Sequence, residues 1–189
     1  NKSPKVVTFF VTKGGALKSS LTLNFARMCA LHNIKTCVIG LDMQGDISSL
    51  LDKEHRTDEQ NDFAKAVAEL ENTLGLADTF FDQKSIFELI QDTDLPTLQF
   101  IPETPELIAL NQTLNGRNRR EYWLQNQVIT PLKNHFDLIL LDAPPNWNLL
   151  ITNALVSSDM LVSPLECRIN NFRNFKMFNE FIADFKQEM

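Results

Sequence analysis

The chain has 189 residues, 43% of them hydrophobic and 22% charged, and a formal net charge of −6. That length and apolar share are enough for one well-filled core, so a single domain over 1–189 is expected. The acidic balance excludes a whole-surface electrostatic grip on nucleic acid, and no apolar run comes near the ~20 residues of a membrane-spanning helix.

Lys5 to Thr12 (KVVTFFVT) is short, β-branched and aromatic, and reads as a buried strand. Ser19 to Leu31 sets Leu21, Leu23, Phe25, Met28 and Leu31 at near-helical spacing, the pattern of a largely buried helix. Lys35 to Asp42 (KTCVIGLD) is a second strand. Strand, Gly-rich turn, helix and strand form a βαβ unit, whose crossover implies parallel strands. Asp52 to Asn61 is polar and reads as an exposed, mobile connection. Asp62 to Leu74 is a helical pattern with Phe63, Val67, Leu70 and Leu74 inward, and Ser85 to Ile90 a shorter one. Thr97 to Pro102 is strand-like. Arg119 to Lys133 is helical, with Tyr122, Trp123, Val128 and Ile129 inward. His135 to Pro145 (HFDLILLDAPP) is an apolar run closed by an aspartate and two prolines. Met160 to Leu165 is a strand and Asn171 to Met189 a helix.

This alternation predicts an α/β fold: a mostly parallel sheet with helices on both faces. Ligands of such sheets bind beyond the carboxyl ends of the strands. Thr12, Asp42 and Asp142 all stand at ends of that kind, so their loops are expected to converge.

The loop after the first strand, VTKGGALKSS, departs from G-x-x-x-x-G-K-[ST], because Thr12 and Leu17 hold the glycine places. Its chemistry still suits phosphate. Gly14 and Gly15 supply a permissive backbone, Ala16 is small, and Leu17 has an N–H to donate. Lys18 is placed to reach the β and γ phosphates, Ser19 to offer a hydroxyl to Mg²⁺, and Ser20 to stand near the α phosphate. The blander reading is a plain glycine turn. Asp142, closing LILLD, argues against it, since a Mg²⁺–nucleotide site needs a carboxylate at the end of a neighbouring strand.

KGGALKSS, then GLDMQGDISSLL, then LILLDAPPNWNLLITNALVSSDMLVSPLEC resemble the ParA branch of the ParA/MinD deviant-Walker ATPases, from about Lys5 to Cys167. The resemblance implies a P-loop fold, ATP and Mg²⁺ as ligands, and an ATP-bound sandwich homodimer. It implies weak hydrolysis stimulated by a ParB-like partner, and positioning of plasmid, chromosome or other cargo on non-specific DNA. By the same resemblance Lys13 is the signature lysine that crosses the dimer, and Asp42 the residue that orients the attacking water. Asp142 is the Walker B aspartate near Mg²⁺, and Pro164 lies near the base. Gly40 and Met43 depart from the family's D-x-D-P-Q segment, and Arg168 from a common glutamate. Family members continue for another strand–helix set, so a missing carboxyl-terminal portion is expected.

Other features favour structural readings. Arg117, Arg119 and Arg120 read as a solvated helix start lying over Tyr122 and Trp123 rather than a DNA contact, which leaves the DNA surface unassigned. Phe175, Phe178, Phe181, Ile182 and Phe185 form one face of a core helix, against a MinD-like membrane anchor or stable membrane insertion. Ser48 and Ser49 read as helix-cap groups, and His32, His55 and His135 as surface or cap residues. Cys29, Cys37 and Cys167 lack metal-type spacing and read as reduced core residues, which suits a reducing cytoplasm; the resemblance implies association with the nucleoid when ATP is bound. The rival functions are a MinD-like positioning ATPase, a metabolic synthetase of the same superfamily, and a nucleotide-binding scaffold with little hydrolysis.

Overall fold

A computed structural model describes residues 3–11, 17–44, 47–51, 72–164, 176–180, 182–184 and 187. The strands are β1 (Lys5–Phe9), β2 (Thr36–Gly40), β3 (Gln91–Asp92), β4 (Leu98–Ile101), β5 (Leu138–Asp142) and β6 (Met160–Val162). They make one sheet in the order β3-β4-β2-β5-β1-β6, parallel except for the short β3 at one edge. Helix α1 (Leu17–Leu31) connects β1 to β2, and α2 (Ile47–Leu51) follows β2. Between β2 and β5 lie α3 (Leu76–Phe81), a 3-10 turn (Ile86–Leu89) and α4 (Leu107–Leu114). A helical stretch over 123–132, with a π turn at Gln125–Ile129, leads to β5, and α5 (Leu149–Ser157) joins β5 to β6.

Side-chain alternation along the strands builds two layers. Val7, Phe9, Val38, Phe100, Leu138 and Leu140 face Leu23, Ala26 and Ala30 of α1 and Ile47 and Leu51 of α2. Val6, Cys37, Ile39, Ile101, Ile139 and Leu141 face α3, α4, α5 and the 123–132 stretch. The chain leaves β1 toward β2 in one direction across the sheet and leaves β5 toward β6 in the other. Right-handed crossovers running in opposite directions put α1 and α5 on opposite faces. The carboxyl ends of β1 and β5 therefore flank a topological switch point, where ligands of open α/β sheets sit.

The helix after β1 turns a different face inward from the one its large residues suggested. Leu23, Ala26 and Ala30 are buried, as is Thr22, whereas Leu21, Phe25, Met28 (60% exposed) and Leu31 (68% exposed) line the outer side. Small alanines let the helix settle close on the sheet, so the bulky stripe stays out. Phe25 retains one contact, 6.0 Å from the ring of Phe9.

The connection over 52–61 and all but the end of the expected 62–74 helix lie outside the described residues. Leu74 is half-buried against the core as expected. Ser85 caps the 3-10 turn, its Oγ accepting from the Phe87 amide. In the 123–132 stretch Leu124, Val128, Ile129 and Leu132 are fully buried, while Trp123 is half-buried. Asn153 of α5 fastens this stretch: its Oδ1 accepts from the Leu124 amide at 2.9 Å, and its amide group donates to the carbonyls of Arg120 and Leu149. Arg117 lies over a different aromatic from the ones expected, 5.1 Å from the Phe80 ring, and Arg120 donates to the Asn115 carbonyl. Cys37 is buried and Cys29 half-buried; Cys167 lies outside the described residues.

At the chain's far end, Phe178 is buried against Phe10 and Trp147, and Ile182 packs on the same cluster. This accords with a core-facing helix. Phe175, Phe181 and Phe185 lie outside the described residues. Among the described residues no helix is long and apolar enough to cross a membrane.

Candidate functional site

The site forms at the switch point because strand register and helix start coincide there. Asp142 ends β5 opposite Phe9 of β1 and Gly40 of β2. By alternation it shares a face with Leu138 and Leu140, the face that α1 covers. The first turn of α1 presents Lys18, Ser19 and, one turn on, Thr22 to that carboxylate.

Lys18 Nζ lies 2.6 Å from Asp142 Oδ1, and Ser19 Oγ donates to Oδ2 at 2.8 Å. Thr22 Oγ1 donates to the Lys18 carbonyl at 2.9 Å and stands 3.4 Å from Asp142 Oδ1. Lys18 also reaches Asp42 Oδ2 at 3.5 Å. Asp42 follows β2 by two residues and is held by the Gln44 amide, which donates to Oδ1 at 3.0 Å. Lys18, Asp42 and Asp142 are all buried. Burial pushes the Asp142 carboxyl above the usual carboxylate range. The Lys18 ammonium and the hydrogen bonds from Lys18 and Ser19 oppose that rise, while the Asp42 charge adds to it.

Four of the expected site residues thus meet: Lys18, Ser19, Asp42 and Asp142. Thr22 is an addition, legible in retrospect as the residue one turn beyond Lys18. Ser20 is exposed on α1 outside this cluster, and Leu17 is the first residue of the helix. Pro164 follows β6 at the same end of the sheet. Lys13, Gly14, Gly15 and Ala16 lie outside the described residues. Ser48 does not act as the expected cap: its Oγ is buried without a hydrogen-bond partner among the described residues, and its amide donates to Glu103.

The donor set fits Mg²⁺. Ser19 and Asp142 offer hard oxygens that already converge, and one or two protein ligands suffice for an ion that keeps water and phosphate in its remaining positions. Among the described residues no group of three or more His, Cys, Asp or Glu side chains is arranged to hold a metal by itself.

A buried lysine and a half-buried serine at a helix start, facing a strand-end aspartate across a parallel-sheet switch point, define a P-loop nucleoside-triphosphatase-like domain. The AAA_31 family model, an AAA domain, matches residues 4–189, and the chain belongs to that family, on its ParA/MinD side. It is 28% identical over 164 residues to the chromosome partitioning protein ParA of Myxococcus xanthus, covering 86% of this chain and 52% of that one. To the cell division protein PomZ of the same organism it is 26% identical, covering 96% and 52%. The chain therefore spans about half the length of these relatives. A plasmid partition protein from Borrelia burgdorferi shares the fold with a TM-score of 0.80 at 21% identity, covering 97% of this chain and 75% of that one. A cobyrinic acid a,c-diamide synthase from Mycobacterium smegmatis, solved with an ATP analogue and magnesium, also reaches 0.80, at 20% identity, covering 97% and 69%.

Proposed function

We propose that this chain is the nucleotide-binding domain of a ParA-like Mg²⁺-dependent ATPase whose ATP-bound sandwich dimer positions DNA or another large cargo. The observation that carries the reading is the convergence of Ser19 with the buried pair Lys18 and Asp142. Family membership narrows it to the ParA/MinD ATPases. The synthase shares the fold at 20% identity, which supports the architecture and not its chemistry.

In this reading Lys18 turns from Asp142 to the β and γ phosphates, and its burial strengthens its pull on them. Ser19 and Asp142 hold Mg²⁺, which neutralises phosphate charge when bound. Gly14, Gly15, Ala16 and Leu17 cradle phosphate through their amides, with Ser20 nearby and Pro164 toward the base. Asp42, beside Lys18, aligns the attacking water. Lys13 enters the partner protomer's site as a cation against the transferring phosphoryl group. A ParB-like partner stimulates hydrolysis and so dissolves the dimer; non-specific DNA is the track, which puts the ATP-bound form on the nucleoid. The 189 residues act as one domain.

The test is light-scattering mass with Mg²⁺ and either ADP or a slowly hydrolysed ATP analogue. A dimer with the analogue alone supports the reading. A monomer in both, with binding verified separately, removes the sandwich dimer for this chain.

A further inference from the structure

Glu103 follows β4 by two residues and lies against Gly40, the last residue of β2. A Cβ placed on Gly40 would stand 2.6 Å from Glu103 Oε2, 2.9 Å from its backbone nitrogen and 3.0 Å from its Cβ. Real carbon atoms do not come so close, so the carboxylate fills a notch that only glycine leaves open. Glu103 Oε1 accepts from the Ser48 amide, in the first turn of α2, at 3.2 Å. One side chain thus spans the end of β2 and the start of α2. Between those two points runs the segment that carries Asp42.

Filling the notch does not require a charge. Oε2 is buried with no hydrogen-bond partner among the described residues, an arrangement that costs stability and that an apolar side chain would avoid. A carboxylate is useful here for its grip on the Ser48 amide. We propose that Glu103 is the positioning residue of the Asp42 segment, and that Gly40 and Glu103 are a matched pair that supplies one carboxylate to this space from β4 rather than from β2. The catalytic consequence rests on the reading of Asp42 given above; the clamp itself does not.

The experiment uses the 189-residue chain with Glu103→Ala, Glu103→Gln, Gly40→Asp and the double variant Gly40→Asp/Glu103→Ala. Loss of the clamp lowers kcat for ATP about tenfold in Glu103→Ala while KM changes less than about twofold, because a loosened Asp42 affects alignment more than binding. Glu103→Gln keeps an oxygen for the Ser48 amide and retains most of the activity. Gly40→Asp alone collides with Glu103 and loses activity; the double variant removes the 2.6 Å contact with Oε2 but keeps those with the backbone nitrogen and Cβ of residue 103, so it recovers part of the activity and the two changes are non-additive. Wild-type kcat in Glu103→Ala, or an additive cycle, overturns the proposal. Amide exchange at Ser48 is followed in the same proteins: it is expected to quicken in Glu103→Ala and to be preserved in Glu103→Gln. Unchanged Ser48 protection in Glu103→Ala overturns the clamp whatever the kinetics. If the wild type binds ATP but releases no phosphate, the role of Asp42 fails, and Ser48 exchange alone decides the clamp.

Discussion

Lys18 Nζ and Asp142 Oδ1 stand 2.6 Å apart in a buried pocket, so the two groups assigned to phosphate and to Mg²⁺ satisfy each other. In the proposed reading, binding a Mg²⁺–nucleotide would therefore be an exchange of partners. Lys18→Ala is expected to abolish ATP binding in titration calorimetry; wild-type affinity would refute the site. The same change strips Asp142 of its cation, and removing one member of a buried pair costs about 3–5 kcal/mol. Urea denaturation should record that loss at pH 7. The loss should shrink toward pH 5, because without Lys18 the already raised Asp142 carboxyl takes up a proton more readily.

Asp42→Ala is expected to keep ATP binding and the ATP-dependent dimer while reducing phosphate release at least about a hundredfold, the scale on which loss of a positioned group acts. Asp42 meets Lys18 at 3.5 Å against 2.6 Å for Asp142, so its removal leaves the stronger ion pair in place. Unaltered phosphate release would rule out the water-aligning role.

Lys13→Ala separates binding from assembly. ATP affinity within a protomer should stay within about threefold of wild type, since Lys18 supplies the local cation, while dimerisation with the ATP analogue is lost. Light scattering reads the second quantity and calorimetry the first. A variant that dimerises normally would remove Lys13 from the interface.

Glu103 gives a stability prediction of known sign. Burial pushes its carboxyl from 4.5 up to about 7; the Glu103 and Ser48 amides and the nearby Ser48 hydroxyl oppose the rise, and the Asp142 charge adds to it. Between those values the folded chain holds a proton that the unfolded chain has released. Its contribution to stability is therefore present below about 4.5 and is lost as pH rises to about 7. Glu103→Gln is neutral throughout, so relative to wild type it should gain up to about 3 kcal/mol between pH 4 and pH 8. Denaturant midpoints at the two pH values measure it, and parallel curves would contradict it.

Phe10 and Trp147 stack with centroids 5.3 Å apart and planes 13° from parallel, and Phe178 lies 5.3 Å from Phe10 and 6.4 Å from Trp147. Phe10→Ala should cost about 3–5 kcal/mol. In a Trp123→Phe background, which leaves Trp147 as the sole tryptophan, it should also shift emission to the red. An unshifted spectrum would mean that the stack does not shield the indole.

Strands β1, β2, β4, β5 and β6 were legible because buried parallel strands are short apolar runs stopped by polar or turn residues. Helix α5 was not. Its sequence, LLITNALVS, is apolar on nearly all sides and β-branched in places, so no helical stripe stands out. The usable signal was Asn148, whose side chain caps the helix by accepting from the Ile151 amide. For α1, spacing identified a stripe but not its direction, and Ala26 and Ala30 carried the burial that Phe25 and Met28 were expected to carry. In the site, Lys18, Ser19 and Asp142 were readable because their chemistry is local to a motif. Glu103 was not, since its meaning depends on Gly40, a residue remote in sequence that only the sheet brings alongside.

The rung that aligns Phe9, Asp142 and Gly40 makes the site intolerant of a change in chain length. Deleting or inserting one residue within β5 would reverse the alternation at its end and turn Asp142 toward α5, aiming Ala143 (deletion) or Leu141 (insertion) at Lys18. Substitutions along β5 can exchange one apolar side chain for another, but single-residue indels there are all-or-none lesions. A library of such variants should split sharply: β5 point changes graded in stability, and β5 length changes uniformly unable to bind nucleotide.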